Sequence, residues 1–285
     1  YWEIWNEPDN EPVISENPMW RGTVEQFFEL YRVTANHLKS CFPDLMIGGY
    51  ASCGFYSVVQ KEAAAEANIS PRTAHFTEFF LKFMDYISAP ATAAPLDFFS
   101  WHSYADEAST VKFAEFARET LDRYGFTHCE NIFDEWNTGT WLRGTVQDAS
   151  NIASMIITMH DSPVDKMMYY DGQFYSIYGG LFSPMTFEPL KAYYAMKAYG
   201  MLYADGTGRA EARVTEGDKE ALKVFATKKH VLLVSRTPDP LYITLDLHGA
   251  SGLWVLDARH DLSSVNFDGT RIPLEGFGIA VAEVD

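Results

Sequence analysis

Two glutamates in similar frames carry the most chemistry in this chain. Glu7 follows the apolar run Tyr1-Trp2-Glu3-Ile4-Trp5, within Trp5-Asn6-Glu7-Pro8. Glu135 stands in Ile132-Phe133-Asp134-Glu135-Trp136-Asn137. Each marks the point where an aromatic-rich, strand-like run gives way to a polar loop. In a parallel α/β barrel such points form the C-terminal mouth, where active sites are built. Two carboxyl groups facing each other across that mouth are what glycoside hydrolysis needs.

The elements that would hold these residues follow from periodicity. Residues 1–203 alternate between short apolar runs and amphipathic stretches. Val24, Phe27, Phe28, Tyr31, Ala35 and Leu38 recur at helical spacing, and Pro43 ends that helix. Further strands are expected at Leu45–Gly49, Leu96–His102, Asn131–Glu135 and Lys166–Asp171. Helices are expected at His75–Ile87, Ser109–Tyr124, Ala149–His160 and Glu188–Leu202. Five strand–helix units without a hairpin between them predict a parallel sheet with helical crossovers.

Beyond Asp205-Gly206-Thr207-Gly208 the helical pattern gives way to strand patterns. Leu241, Ile243, Leu245 and Leu247 alternate with polar partners, as in a half-buried strand. Other strands are expected at 221–226, 231–236, 253–257 and 278–284, with a turn at Asp268-Gly269. The organisation read from this is a barrel portion over 1–204 and a small β-sandwich over 205–285. The fold class is α/β: a (β/α)8 TIM barrel lacking its first three βα units. A whole barrel takes ~250 residues, so three units correspond to roughly 95. A complete open sheet of five strands is the competing reading.

Composition narrows the partners. A net charge of −17 disfavours nucleic acid and anionic membrane surfaces. No apolar run approaches the ~18 residues of a membrane span. Cys41, Cys53 and Cys129 form neither a paired framework nor a zinc spacing. Neither a metal nor another cofactor is expected, and a homo-oligomer is left open. The chain opens inside a strand at Tyr1, so a preceding segment is expected, and with it any signal sequence. A cytoplasmic location is slightly favoured. Without that segment the apolar edge of the first strand would stand exposed, and the 285-residue polypeptide alone is expected to be inactive or poorly folded.

Trp2-Glu3-Ile4-Trp5-Asn6-Glu7-Pro8-Asp9 resembles the fourth-strand motif of clan A glycoside hydrolases, most closely family 39, the β-xylosidase and α-L-iduronidase family. Gly48-Gly49 resembles the end of the family's fifth strand. Asp97-Phe98-Phe99-Ser100-Trp101-His102-Ser103-Tyr104 resembles the sixth, and Phe133-Asp134-Glu135-Trp136-Asn137 the seventh. Two departures mark a divergent branch. Tyrosines stand in Met167–Phe174, where many clan members carry a tryptophan, and Tyr50 stands where proline is frequent.

The resemblance implies a retaining glycoside hydrolase, β-xylosidase-like, acting on an oligosaccharide or glycoside substrate. Another sugar (β-glucoside, β-galactoside, uronide) and a non-catalytic carbohydrate-binding relative are the alternatives. Glu7 is the implied general acid/base, with a pKa raised for that task, and Glu135 the implied nucleophile. Retention requires the two carboxyl groups ~5–5.5 Å apart, against ~6.5–9.5 Å for inversion. Asn6 is expected to bind the sugar 2-hydroxyl, or to serve as a turn or cap residue. His102 and Tyr104 are expected to bond Glu135 or substrate, with a structural histidine as the other reading. Trp136 and Tyr170 are expected either as ring platforms or as core. Strand alternation turns Asp134 away from Glu135 and makes it structural, while Glu3 flanks the site and Glu130 and Asp171 are weaker candidates. The long stretch Ser52–Arg72, with its alanine-rich segment at 61–67, is expected to wall the aglycone side.

Overall fold

The computed structural model describes residues 1–63, 69–174, 176, 178, 180–246, 250–267 and 271–284. The alanine-rich residues beyond 63, Leu247 and the Asp268-Gly269 turn lie outside the described residues. The chain forms two compact units, one of Tyr1–Trp136 with Met159–Tyr169, the other of Asn137–Thr158 with Tyr170–Asp285.

The first unit is built on a five-stranded parallel sheet in chain order, β1 (Trp2–Glu3), β2 (Ile47–Ser52), β3 (Phe98–Ser103), β4 (Glu130–Trp136) and β5 (Lys166–Tyr169). Its helices begin where local chemistry satisfies their free amides. Thr23 and Gln26 form a reciprocal capping box ahead of α1 (Val24–Cys41). After α2 (Tyr56–Ala63), Ser70 caps α3 (Pro71–Ser88), and Pro71 occupies a first-turn position that needs no donor. Asp106 caps α4 (Glu107–Arg123) through the Ser109 amide.

The helices and sheet meet through aromatic rings. Phe27, Tyr31, Tyr50, Phe79, Phe80, Phe83 and Phe99 are fully buried, and most of their contacts are edge-to-face. That geometry suits the ring quadrupole. Gly48 lets β2 lie close to β3, since a Cβ there would stand 2.0 Å from the Phe98 carbonyl oxygen. A side chain at this position is incompatible with the pairing.

In the second unit, α5 (Val146–Met159, less its last residue) and α6 (Lys191–Ala204) accompany seven strands among the described residues. Those are β6 (Leu222–Ala226), β7 (His230–Ser235), β8 (Leu241–Thr244), β9 (Ala250–Leu256), β10 (Asp261–Ser264), β11 (Arg271–Leu274) and β12 (Ile279–Val284). Five form an antiparallel sheet in the order β10-β9-β12-β7-β6, and β8 pairs with β11. Val231, Leu233, Leu253, Val255, Ile272, Leu274, Ala280 and Ala282 share one apolar core drawn from both sheets. Ser150 of α5 donates to the Ser235 carbonyl at 2.6 Å, anchoring the helix to β7. The change of pattern expected after residue 204 coincides with the end of α6. The short strands β10 and β11 were not apparent from alternation.

Candidate active site

The C-terminal ends of β1 to β4 bring one imidazole among three carboxyl groups. Glu7 sits in the turn after β1 with φ 49°, a left-handed conformation that costs a non-glycine residue energy. Its amide donates to the carbonyl of Ala51, itself at φ 55°, and so ties this turn to the end of β2. His102, 2% exposed, projects from β3. Its Nδ1 lies 2.8 Å from Glu7 Oε1 and 3.7 Å from Glu135 Oε1. One ligand atom each from Glu7, His102 and Glu135 falls within 4.8 Å of the others. Such a trio is also the set a small divalent cation would use.

The two glutamates are held differently. Asn10 Nδ2 donates to Glu7 Oε2 at 2.6 Å. Arg72 fixes that amide by donating to the Asn10 carbonyl at 2.7 Å and to Oδ1 at 3.0 Å. Tyr104, 41% exposed, donates its hydroxyl to Glu135 Oε1 at 2.6 Å, while its amide donates to the Tyr56 hydroxyl. Gly54 (φ 98°) passes under β3, where a Cβ would meet the His102 carbonyl oxygen at 2.5 Å.

Burial acts first on the charges here, and the partners decide the outcome. Burial would strip His102 of its proton. The bond to Glu7 and the charges of Asp134, Glu135 and Glu7 reverse this and hold its pKa up at about 9. Burial also pushes Glu7 up, but the His102 bond and charge, then Asn10 and Cys53, pull it below the ordinary carboxylate value. The raised pKa expected for Glu7 is therefore not found: a buried cation is its nearest neighbour. Asp9, fully buried, accepts from the Ser52 hydroxyl at 2.8 Å and from the Cys53 amide, and burial raises it to about 7.

Asp134 departs most from the sequence reading. Trp101 pairs with Phe133 and His102 with Glu135, so Asp134 is an extra residue, a β-bulge. On the other side Phe133 pairs with Met167 and Trp136 with Tyr169, and the same irregularity appears. The bulge breaks the alternation that would have turned Asp134 away. Its Oδ1 lies 3.7 Å from His102 Nε2 and has no hydrogen-bond partner among the described residues. Burial, with Glu3 beside it, outweighs His102 and keeps this carboxyl well above the usual range.

The remaining expected residues divide. Asn6 is half-buried beside Glu7. Trp136 is fully buried between Phe133 and Tyr169, a core ring and not an open platform. Tyr170 belongs to the second unit, where its ring meets Tyr178 and its carbonyl accepts from Asn137. Glu130 accepts from Lys166 and Tyr1 away from the cluster, and Asp171 accepts from Ser176. Asn10, Arg72 and Tyr56 escaped the sequence reading. Asn10 stands three residues after Glu7, and Tyr56 and Arg72 lie in the long stretch Ser52–Arg72.

A parallel α/β sheet with an imidazole among carboxylates at its C-terminal end defines the class: an α/β fold of the kind that builds its site at the strand ends. The profile of Glycosyl hydrolases family 39 matches residues 1–175, more than half of the chain, and the chain belongs to that family. A β-xylosidase of Geobacillus stearothermophilus is 28% identical over 121 residues, which is 42% of this chain and 18% of that protein. The match thus spans less than a fifth of that relative's length. Among solved structures, a glucosidase from Croceicoccus marinus superposes with TM-score 0.73 at 20% identity, over 100% of this chain and 68% of that one. A monomeric β-xylosidase from Caulobacter crescentus gives TM-score 0.66 at 16% identity, over 100% and 69%. At these identities the two share the fold.

Proposed function

We propose that the protein is a retaining glycosidase, β-xylosidase-like, with Glu135 as nucleophile and Glu7 as general acid/base. The observation that carries this reading is the approach of the two carboxyl groups, with an oxygen of each inside the 4.8 Å cluster around His102. So close an approach suits direct attack by a carboxylate more than the wider separation of an inverting enzyme. In this reading β1 to β5 are strands four to eight of an eight-stranded barrel, and β6 to β12 make a small β-sandwich. The β-xylosidase relative supports a xyloside as first substrate to test.

Glu135 attacks the anomeric carbon and forms a glycosyl ester while Glu7 gives a proton to the departing oxygen. Water then opens the ester as Glu7 takes the proton back. The proton needed by Glu7 is next door, on His102 Nδ1 at 2.8 Å. A sugar that excludes water adds to the burial that already pushes Glu7 towards the protonated form. Tyr104 steadies the Glu135 carboxylate through its hydroxyl. Asn6, beside Glu7, is assigned to the sugar 2-hydroxyl.

The test is the anomer first released by the intact protein from a β-xyloside, followed by proton NMR. The β-anomer is expected. The α-anomer appearing first would overturn retention, and a panel of nitrophenyl glycosides would show whether another sugar is preferred.

A further inference from the structure

Trp141 takes no part in the core of the second unit or in the chemistry proposed above. It is 81% exposed, against 60% for Trp2 and 44% for Trp5. Among the described residues its ring meets no other ring and its Nε1–H no acceptor. Single exposed apolar side chains are ordinary. What sets this one apart is the seat beneath it.

Gly139 has φ 105°, and a Cβ there would stand 2.7, 2.8 and 3.0 Å from Cη2, Cζ2 and Cζ3 of the indole. Such nearly equal distances to three adjoining ring atoms put that point over the face of the six-membered ring, not beyond its edge. One face of the indole therefore lies on the glycine, and the other is turned outward. The seat is itself tied down. Residues 140–142 form one 3-10 turn, with the Leu142 amide donating to the Gly139 carbonyl at 3.2 Å. Buried Asn137 accepts from the Gly139 amide at 2.8 Å and donates to the carbonyls of Tyr170 and Tyr178 at 3.0 and 2.6 Å. Thr138 donates to buried Asp148 at 2.5 Å. A flat apolar surface is thus presented to solvent on a braced loop, with an unused donor at its rim.

We infer that the outward face of Trp141 is a stacking platform for a pyranose ring of a neutral glycan, a contact beyond the sugar that is cleaved. That the ligand is a glycan rests on the glycosidase reading above; the seating of the ring does not. A pyranose matches both features of the indole. Its C–H face sheds water against the ring, and the hydroxyls around its rim accept from Nε1–H. A ring already fixed in place loses little freedom on binding. The net charge of −17 disfavours an acidic glycan. It would favour an organic cation, but such cations are held in cages of several rings. No second ring meets Trp141 among the described residues.

The test is NMR of the indole Nε1–H signals of the intact protein, titrated with xylohexaose and with cellohexaose. The Glu135→Gln background keeps the ligand whole, and Trp141→Phe assigns the Trp141 signal. That signal should shift with at least one of the two glycans and stay in place with choline. In Trp141→Ala the affinity, read by calorimetry, should fall about 10-fold or more at unchanged Tm, and Trp141→Phe should recover part of it. A Trp141 signal that neither glycan moves, one that choline alone moves, or full affinity in Trp141→Ala would overturn the inference. Glycan binding that depends on Trp141 in a protein that hydrolyses no glycoside would overturn the glycosidase reading and leave the platform standing.

Discussion

Nδ1 of His102 stands 2.8 Å from Oε1 of Glu7, and this contact couples the charges of the two groups. A carboxylate can only accept, so Nδ1 is the donor. The imidazole is buried among acidic groups and keeps its proton to about pH 9, which in turn holds Glu7 ionised. Glu7, the proposed acid/base group, thus lies beside a proton it does not itself carry.

Removing Asn10 tests how Glu7 is balanced. In Asn10→Ala the burial that already pushes Glu7 up loses one of the bonds opposing it. The Glu7 pKa should rise, and the alkaline limb of kcat/KM, which reports the loss of the acid, should move to higher pH. A pH–rate profile checks this. An unchanged limb would mean that Asn10 does not act on Glu7.

Tyr104→Phe deletes the 2.6 Å bond to Glu135 and nothing larger than a hydroxyl. A hydrogen bond to a charged group contributes ~1.5–3 kcal/mol, so kcat should fall about 10-fold or more. Pre-steady-state kinetics should place the loss in formation or breakdown of the ester, with Tm nearly unchanged.

Asp9 supplies a stability test with a defined sign. Its folded-state pKa is raised to about 7, above the ordinary 3.8, because burial disfavours its charge. Its contribution is therefore fully present below pH 3.8 and is lost as pH rises through 7. Asp9→Asn, which can still accept from Ser52 and Cys53, should gain in Tm relative to the wild type as pH goes from 4 to 8. A constant Tm difference would show that Asp9 does not titrate in that window.

Much of this site was legible because local patterns announce local structure. The turn motifs around Glu7 and Glu135 lie at strand ends in the structure, and the alternation of apolar runs and helical stripes gave the five parallel strands. Alternation alone does not place Asp134, because it holds only for regular strands and one extra residue in β4 resets the parity. The Arg72–Asn10–Glu7 chain joins residues far apart in sequence, and no spacing rule links an exposed arginine on α3 to the turn after β1. Trp136 illustrates the limit of composition: an aromatic at a strand end packs inward or outward according to that same bulge. In the second unit, β10 and β11 are four residues each, too short for alternation to stand out.

The central claim is that Glu135 forms the covalent bond to the sugar, and Glu135→Ala with azide tests it most directly. The variant should lose about 10^4-fold or more in kcat without azide. Added azide, small enough to enter the space left by the carboxylate, should restore turnover of a β-glycoside and yield the α-glycosyl azide. Near wild-type hydrolysis by Glu135→Ala in the absence of azide would contradict the account.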